Sequence, residues 1–226
     1  PSLDSVWVDY EQVNVSFSER LWRWAEKNGI KQFISFSSTA VYANSDEYLD
    51  ENAIASPSSL YGLSKYCADK CLEINACRKS SMQTTVFRCP SIYGVNHNGG
   101  LVHSYYSMAL EGREIDIYNN GADLRNLLFV DDLSMSVKQA ITKLSYLDRF
   151  ELFLLGSSDS MATYDIAIAL RNFLGSSASV VKVPKKTSSS VNVCLDLSRV
   201  ERVLDVHVSD IATGLRKYVG EMKNEI

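Results

Sequence analysis

The sequence has little of what metal and phosphate sites are usually built from. Its three histidines, His97, His103 and His207, are scattered, and no group of His, Cys and carboxylate residues has the spacing of metal ligands. No two of the 11 glycines are separated by one or two residues, so the patterns G-x-G and G-x-x-G do not occur. We therefore expect no metal site and no glycine-rich phosphate loop among these residues.

Basic charge and long apolar runs are also scarce. Lys and Arg number 23 against 27 Asp and Glu, which gives a net charge of -4. Surfaces that bind nucleic acid or anionic membranes need a basic excess. No apolar run approaches the roughly 20 residues of a membrane-spanning helix, no signal peptide is recognisable, and the five cysteines contain no C-x-x-C pair. We expect a cytoplasmic protein that binds neither nucleic acid nor membrane.

Apolar residues follow the helical and the strand period in turn along the 226 residues. From Tyr10 to Asn28 they recur every three or four positions, which predicts an amphipathic helix ended by Gly29. The β-rich run KQFISFSS predicts a buried strand, parallel to its neighbours because helices flank it. A second helix is expected to begin near Ser58 or Ser59.

Strands and helices alternate through the rest of the chain as well. QTTVFRCPSIYG predicts a strand followed by a loop, and EIDIY, RFELFLLGSS and SASVVKV each predict a strand. LVHSYYSMALEG and TYDIAIALRNFL predict helices ended by Gly112 and Gly175. Asp131 or Asp132 is the expected cap of the helix after LRNLLFVDD. PKKTSSS is expected to be a flexible loop, and short helices to close the tail. This alternation indicates an α/β fold.

Tyr61 and Lys65 lie four residues apart near the start of the second predicted helix, in SSLYGLSKYCADKC. At this spacing two side chains project from one helix face, with Cβ atoms roughly 5–6 Å apart. The pKa of a tyrosine is ordinarily about 10, and an adjacent ammonium lowers it. A tyrosine tuned in this way can serve as general base toward an alcohol or general acid toward a ketone. By spacing alone, an aromatic and a charged residue on a shared helix face is the simpler interpretation.

Four motifs occur in a definite order, FISFSSTAVY, SLYGLSK, VFRCPSIYG and LRNLLFVDDLS. With them the sequence resembles the extended short-chain dehydrogenases/reductases, specifically the NAD-dependent sugar-nucleotide epimerase/dehydratase family. The first helix, VNVSFSERLWRWAEKNGIKQF, and the tail, CLDLSRVERVLDVHVSDIATGLRKYV, are also similar to the family. The resemblance therefore covers nearly the whole chain. It implies an incomplete Rossmann-type parallel sheet with a small α/β substrate-binding lobe.

The resemblance implies a reaction and the residues that carry it. Tyr61 would be the acid/base, and Lys65 would tune it and hold the nicotinamide ribose. Ser38 would bridge Tyr61 and the sugar hydroxyl. The implied enzyme is an oxidoreductase or isomerase that uses NAD or NADP to epimerise a nucleotide sugar or to reduce its keto form.

Three more residues are implied at the cofactor and the substrate. Pro90 is expected beside the nicotinamide. Ser91 stands where 4-epimerases often use asparagine against the diphosphate, so that contact is expected to differ. Arg125 matches the arginine that clamps the diphosphate, a task suited to its rigid fork of donors. A surface salt bridge is the alternative interpretation of Arg125.

The sequence also departs from the family pattern. Thr39 and Ala40 stand where the dehydratases carry Asp-Glu, which disfavours dehydration. The family's glycine-rich turn and first strands precede every motif quoted above, and this sequence begins after them. Half of a parallel sheet exposes an edge and an apolar face. We expect this chain alone to be inactive, and unstable or sticky unless another segment, another chain or a dimer completes it.

The resemblance also divides the chain and implies a partner. Residues 1–95 are assigned to the second half of a dinucleotide-binding domain, and 96–226 mainly to the substrate-binding lobe, with 124–158 returning to the sheet. Family members commonly pair through the helix before the serine strand and the helix with the tyrosine, which implies a homodimer. Two other interpretations stay open, a truncated non-catalytic relative acting as a binding module and a reductase of a non-sugar carbonyl.

Overall fold

The computed structural model describes residues 6–43, 45, 47–78, 80–184 and 192–224. Its α-helices are α1 (Trp7–Tyr10), α2 (Phe17–Lys27), α3 (Leu60–Cys77), α4 (Gly100–Leu110), α5 (Val130–Thr142), α6 (Thr163–Leu174), α7 (Ser198–Leu204) and α8 (Ile211–Asn224). Its strands are β1 (Gln32–Ser38), β2 (Tyr48–Leu49), β3 (Gln83–Cys89), β4 (Ser91–Tyr93), β5 (Ile115–Ile117), β6 (Leu124–Arg125), β7 (Leu127–Phe129), β8 (Phe150–Leu154), β9 (Met161–Ala162), β10 (Val180–Lys182) and β11 (Cys194–Leu195). The predicted α/β class is confirmed.

Three parallel strands in the order β1-β3-β8 form the main sheet. β3 pairs with β1 from Gln32↔Gln83 to Ser38↔Cys89 and with β8 on its other side. Every residue of β3 is buried, because a central strand of a parallel sheet is covered on both faces. The parallel arrangement predicted for KQFISFSS is therefore correct.

Helices cover both faces of this sheet. Val86 of β3 packs in a cluster with Trp22 of α2 and Leu72 of α3, whereas the next residue, Phe87, packs in a cluster with Val200 of α7. Successive side chains of a strand point to opposite faces, so the two clusters lie on the two sides of the sheet. The main sheet is therefore a middle layer, with α2 and α3 on one side and α7 on the other.

A second lobe lies around α4, α6 and α8. Tyr106, Ile166 and Tyr218, one from each helix, share one buried cluster. β5 pairs in parallel with β10 beside this cluster, and β4 pairs in parallel with β7. β4 follows directly on β3, with Pro90 between them, so the second lobe is joined to the carboxyl end of the main sheet.

Several local predictions are corrected by the structure. The first helix is interrupted by a π-helical segment, Glu11–Ser16. Ser91–Tyr93 is a strand, not a loop. The N-cap of α5 is Phe129 and neither aspartate, because Asp132 instead accepts the backbone N–H of Ser209. Most of the predicted loop PKKTSSS, from 185 on, lies outside the described residues. No helix in the described part of the chain is long and apolar enough to cross a membrane.

Candidate active site

The site lies where β1 and β3 end side by side. Ser38, the last residue of β1, is in register with Cys89, the last residue of β3. Parallel strands present their carboxyl ends at one edge of the sheet, where ligands of such folds bind. The Ser38 hydroxyl accepts the backbone N–H of Ala40 at 3.1 Å, which fixes its position at the start of a 3-10 turn.

Helix α3 brings Tyr61 to this edge. Ser59 caps the helix, as predicted, and its hydroxyl accepts the backbone N–H of Gly62 at 3.0 Å. A Cβ at Gly62 would lie 2.1 Å from the carbonyl oxygen of Ala40. Only glycine therefore lets the first turn of α3, with Tyr61, approach the turn that follows Ser38 this closely.

Lys65 lies one helical turn beyond Tyr61 and is half-buried. Its Nζ donates a hydrogen bond to the carbonyl of Phe36 at 2.8 Å. Burial lowers the pKa of the Lys65 ammonium, and the carboxylate of Asp69 opposes that shift. In the described structure one of its three N–H donors is used by the backbone, which leaves two for a ligand.

Two clefts meet at Tyr61. The lysine cleft, about 470 Å³, is lined by Lys65 and by apolar residues of the second lobe, including Leu101 and Val102. The arginine cleft, about 420 Å³, is lined by Arg125 together with Tyr42. Four residues line both clefts, namely Ser38, Tyr61, Pro90 and Ser91. All six residues singled out in the sequence therefore line this pair of clefts.

Arg125 projects from β6, which pairs with β9 of the second lobe. Its side chain is 32% exposed and its Nη2 lies 3.5 Å from Oδ2 of the buried Asp123. The next residue, Asn126, is buried and satisfied, since it donates to the carbonyls of Ser157 and Asp159. Arg125 therefore lines its cleft, and it also forms a salt bridge, here with Asp123, as the alternative interpretation of this residue predicted.

A buried ion pair behind Lys65 was not predicted from the sequence. Asp69 accepts Nε of Arg88 at 2.9 Å and the hydroxyl of Ser37 at 2.9 Å. Arg88 also donates to the Tyr42 hydroxyl at 2.7 Å. Two signals could have revealed it: Asp69 follows Tyr61 and Lys65 at the same spacing of four, and an arginine stands inside the apolar strand VFRC.

The π-helical segment contacts α3 on its other side. Asn14 donates to the hydroxyl of Ser64 at 2.9 Å, and Ser64 donates to the carbonyl of Tyr61 at 2.8 Å. The ring of Tyr10 lies 6.3 Å from that of Tyr61, centroid to centroid. π-Helical turns frequently mark functional sites, and this one supports the first turn of α3.

The fold and the site define a Rossmann-type α/β protein with a tyrosine and a lysine at the carboxyl edge of its parallel sheet. The family described as "NAD dependent epimerase/dehydratase family" matches residues 7–156. The chain belongs to this family, which confirms the predicted family, the enzyme class by resemblance, and NAD as the cofactor.

Relatives and solved structures agree with this membership. The chain is 20% identical over 221 residues to an uncharacterized UDP-glucose epimerase, YtcB, of Bacillus subtilis, covering 96% of this chain and 68% of the relative. It is 20% identical over 218 residues to a putative UDP-glucose 4-epimerase of Methanocaldococcus jannaschii, covering 94% and 70%. The fold resembles that of a UDP-glucose 4-epimerase of Thermotoga maritima, with a TM-score of 0.84, 24% identity, and 96% and 71% of the two chains covered. It also resembles MoeE5 in complex with UDP-glucose and NAD, with a TM-score of 0.84, 19% identity, and 96% and 73% covered.

The lysine cleft fits the nicotinamide end of NAD. Lys65 would offer two further donors to ribose hydroxyls, and Pro90 with the neighbouring apolar residues of the cleft would lie beside the nicotinamide ring. Phe36, at the exposed edge of β1, also lines this cleft. The sequence holds no G-x-x-G turn, the loop that commonly binds the pyrophosphate in Rossmann-type folds.

Proposed function

We propose that this chain carries the acid/base residues of an enzyme that uses NAD to epimerise a nucleotide sugar, or the reduced cofactor NADH to reduce its keto form. The observation that supports this most is the shared wall of Ser38, Tyr61, Pro90 and Ser91 between the two clefts. A sugar bound at this wall would contact Tyr61 as the acid/base. The cofactor would lie on its side in the lysine cleft, and Arg125 on its other side in the arginine cleft. The names of the relatives favour UDP-sugars.

Tyr61 is the group that exchanges a proton with the sugar hydroxyl in this proposal. Lys65 lies one turn away on the same face of α3 and lines the same cleft as Tyr61. Ser38 holds the same hydroxyl in line through its own hydroxyl, which the backbone of Ala40 keeps in place. NAD, held by Lys65 and Pro90, would supply the hydride acceptor for the sugar carbon, and the proton of the sugar hydroxyl would pass to Tyr61, which together would give the ketone.

The neighbours of Ser38 favour epimerisation or keto-reduction over dehydration. Thr39 and Ala40 form the 3-10 turn after Ser38 and carry no carboxylate. Elimination of water from a sugar needs a second acid and a base beside the reacting carbons. We therefore keep the dehydratase reaction out of the proposal.

Arg125 is proposed to bind the diphosphate of the substrate. Its guanidinium offers a planar fork of donors that suits phosphate oxygens. It lines the same cleft as Tyr61, and Ser91 is exposed between them. Its ion pair with Asp123 positions the group and, being partly exposed, still allows a ligand to reach it.

A homodimer through α2 and α3 is the second part of the proposal. The outward face of α3 carries a stripe of apolar residues, Leu60, Leu63, Cys67, Cys71 and Ile74. The preceding helical segments carry another, Val13, Phe17, Leu21 and Trp24, of which Trp24 is 59% exposed. Each stripe has the three-and-four spacing of one helix face, and exposed patches of this kind mark interaction sites.

The domain division stays a proposal, with residues 1–95 on the cofactor side and 96–226 mainly on the substrate side. In the structure β8 lies within the main sheet beside β3, which supports the return of residues 124–158. The cytoplasmic location stays a prediction.

The role of Tyr61 is tested by removing its hydroxyl. In the full-length native protein, Tyr61→Phe should lower kcat for a UDP-hexose with NAD by about 10²- to 10⁴-fold, since it removes the general acid/base. Binding of NAD and of UDP should change little. Tyr66→Phe, one residue past Lys65 on the same helix, is the control and should keep wild-type activity.

Other outcomes decide among the alternatives. Undiminished turnover in Tyr61→Phe would reject Tyr61 as the acid/base. Binding of NAD and UDP-sugar by the wild-type protein without any turnover would favour the non-catalytic relative. Turnover of a simple ketone but of no nucleotide sugar would favour the reductase of a non-sugar carbonyl.

A further inference from the structure

The proposed mechanism leaves a charged pair unused behind the site. Asp69 follows Lys65 by one turn on the same face of α3, and its carboxylate is paired with Arg88 at 2.9 Å. The two side chains are 3% and 5% exposed. A buried ion pair contributes little to stability compared with apolar residues of the same volume, because both charges lose their hydration. Its position next to Lys65 calls for another explanation.

Asp69 and Lys65 of α3 both bind the carboxyl end of β1. Asp69 accepts the hydroxyl of Ser37 at 2.9 Å, while Lys65 donates to the carbonyl of Phe36 at 2.8 Å. Two charged groups of α3 therefore fix two consecutive residues of β1. The residue after them is Ser38, so the distance between Lys65 and the Ser38 hydroxyl is set by this double attachment.

The charges around Lys65 come from two elements. From α3 the carboxylate of Asp69 acts on Lys65 and Tyr61 lines the same cleft, and from β3 Cys89 does both, while Arg88 of β3 is bound to Asp69. Burial raises the pKa of the Cys89 thiol to about 12, so it is neutral near pH 7. Arg88 is a permanent cation. Of the groups that act on Lys65, Asp69 is thus the one that supplies negative charge.

We propose that Asp69, held by Arg88, is the positioning residue of Lys65, keeping it an ammonium and fixing it at the end of β1 beside Ser38. The proposal rests on the proposed function for its purpose, but the effect of Asp69 on Lys65 can be tested without turnover. Arg88 extends the network to the hydroxyl of Tyr42 at 2.7 Å, and Tyr42 lines the arginine cleft. One ion pair thereby supports the walls of both clefts.

The first measurement is the titration of Lys65 itself. Trace labelling with acetic anhydride across pH, read by mass spectrometry of the Lys65 peptide, reports its pKa because only the free amine reacts. In Asp69→Asn of the full-length protein, the pKa of Lys65 should fall by about one unit, since burial then acts unopposed. Asp69→Glu should restore most of it. Glu73→Gln, which breaks the exposed pair with Lys70 on the same helix, should leave the curve unchanged.

An unchanged Lys65 titration in folded Asp69→Asn would overturn the proposal. Circular dichroism establishes folding, and if that variant does not fold, Asp69→Asn combined with Arg88→Gln removes both charges and serves for the same measurement. The second measurement is the pH profile of kcat. In Asp69→Asn the fall of kcat at high pH should begin at a lower pH than in the wild type. Absence of sugar-nucleotide turnover in the wild type would reject the proposed function, while the labelling result would still decide this inference.

Discussion

The two faces of α3 each carry residues that a surface helix does not usually place there, charged ones inward beside the buried Leu72 and apolar ones outward. The inward face carries Tyr61, Lys65 and Asp69, whereas the outward face carries the apolar stripe that begins at Leu60. Surface helices normally bury apolar residues and expose charged ones. An inward charged face indicates a site, and an outward apolar face indicates a partner. The helix therefore joins the two parts of the proposed function.

The largest effect is expected from unpairing the inward charge. Arg88→Met leaves the buried Asp69 carboxylate without its partner and should lower the free energy of unfolding by about 3–5 kcal/mol. Lys70→Met, which breaks the exposed Lys70–Glu73 pair of the same helix, should cost no more than about 1 kcal/mol. Urea unfolding of both variants measures the difference. Equal losses would show that the inward pair is no more costly to break than an exposed one.

The next effect concerns the outward face. Leu63→Glu places a like charge from each copy in an apolar interface, and should weaken the dimer about 100-fold, or about 2.7 kcal/mol. Leu110→Glu changes another exposed leucine, at the end of α4 and away from the stripe, and should leave the dimer intact. Light scattering across a dilution series measures the dissociation constant. A wild-type protein that is monomeric at all concentrations would contradict the dimer directly.

On the inward face of α3, the sequence predicted only those features that depend on residues close together in the chain. The helix, its cap at Ser59 and the shared face of Tyr61 and Lys65 depend on residues within a few positions of each other. The pairing of Asp69 with Arg88 depends instead on the register of α3 over β3, which no local pattern contains. An aspartate in the middle of a helix is ordinarily interpreted as solvent-facing.

The missed strand has a similar cause. Ser91–Tyr93 follows Pro90 and has three residues, so by composition it resembles a loop. It becomes a strand because it pairs with Leu127–Phe129, a partner far along the chain. The prediction that Asp131 or Asp132 caps α5 is wrong for the same reason: both lie in the first turn of the helix, and Asp132 accepts the backbone N–H of Ser209 near the end of the chain.

A smaller effect is expected where α3 approaches the turn after Ser38. A Cβ at Gly62 would meet the carbonyl of Ala40 at 2.1 Å, so Gly62→Ala should cost about 1–3 kcal/mol by overpacking. It should also reduce turnover, because Tyr61 is displaced from Ser38. Gly220→Ala in α8 meets nothing within 4 Å and should be stabilising by about 0.5–1 kcal/mol. Thermal unfolding of the two variants should give shifts of opposite sign.

The smallest effect tests the contact between α3 and the π-helical segment. Asn14→Ala removes the donor to Ser64, and the loss of one hydrogen bond should cost about 0.5–1.5 kcal/mol. Ser64→Ala removes the acceptor and, with it, the bond to the Tyr61 carbonyl. In a double-mutant cycle the two losses should be less than additive, because they share one bond. Full additivity would mean that the segment does not support α3 through Asn14, and that the first turn of α3 is held at the site by Gly62 and the Ser59 cap alone.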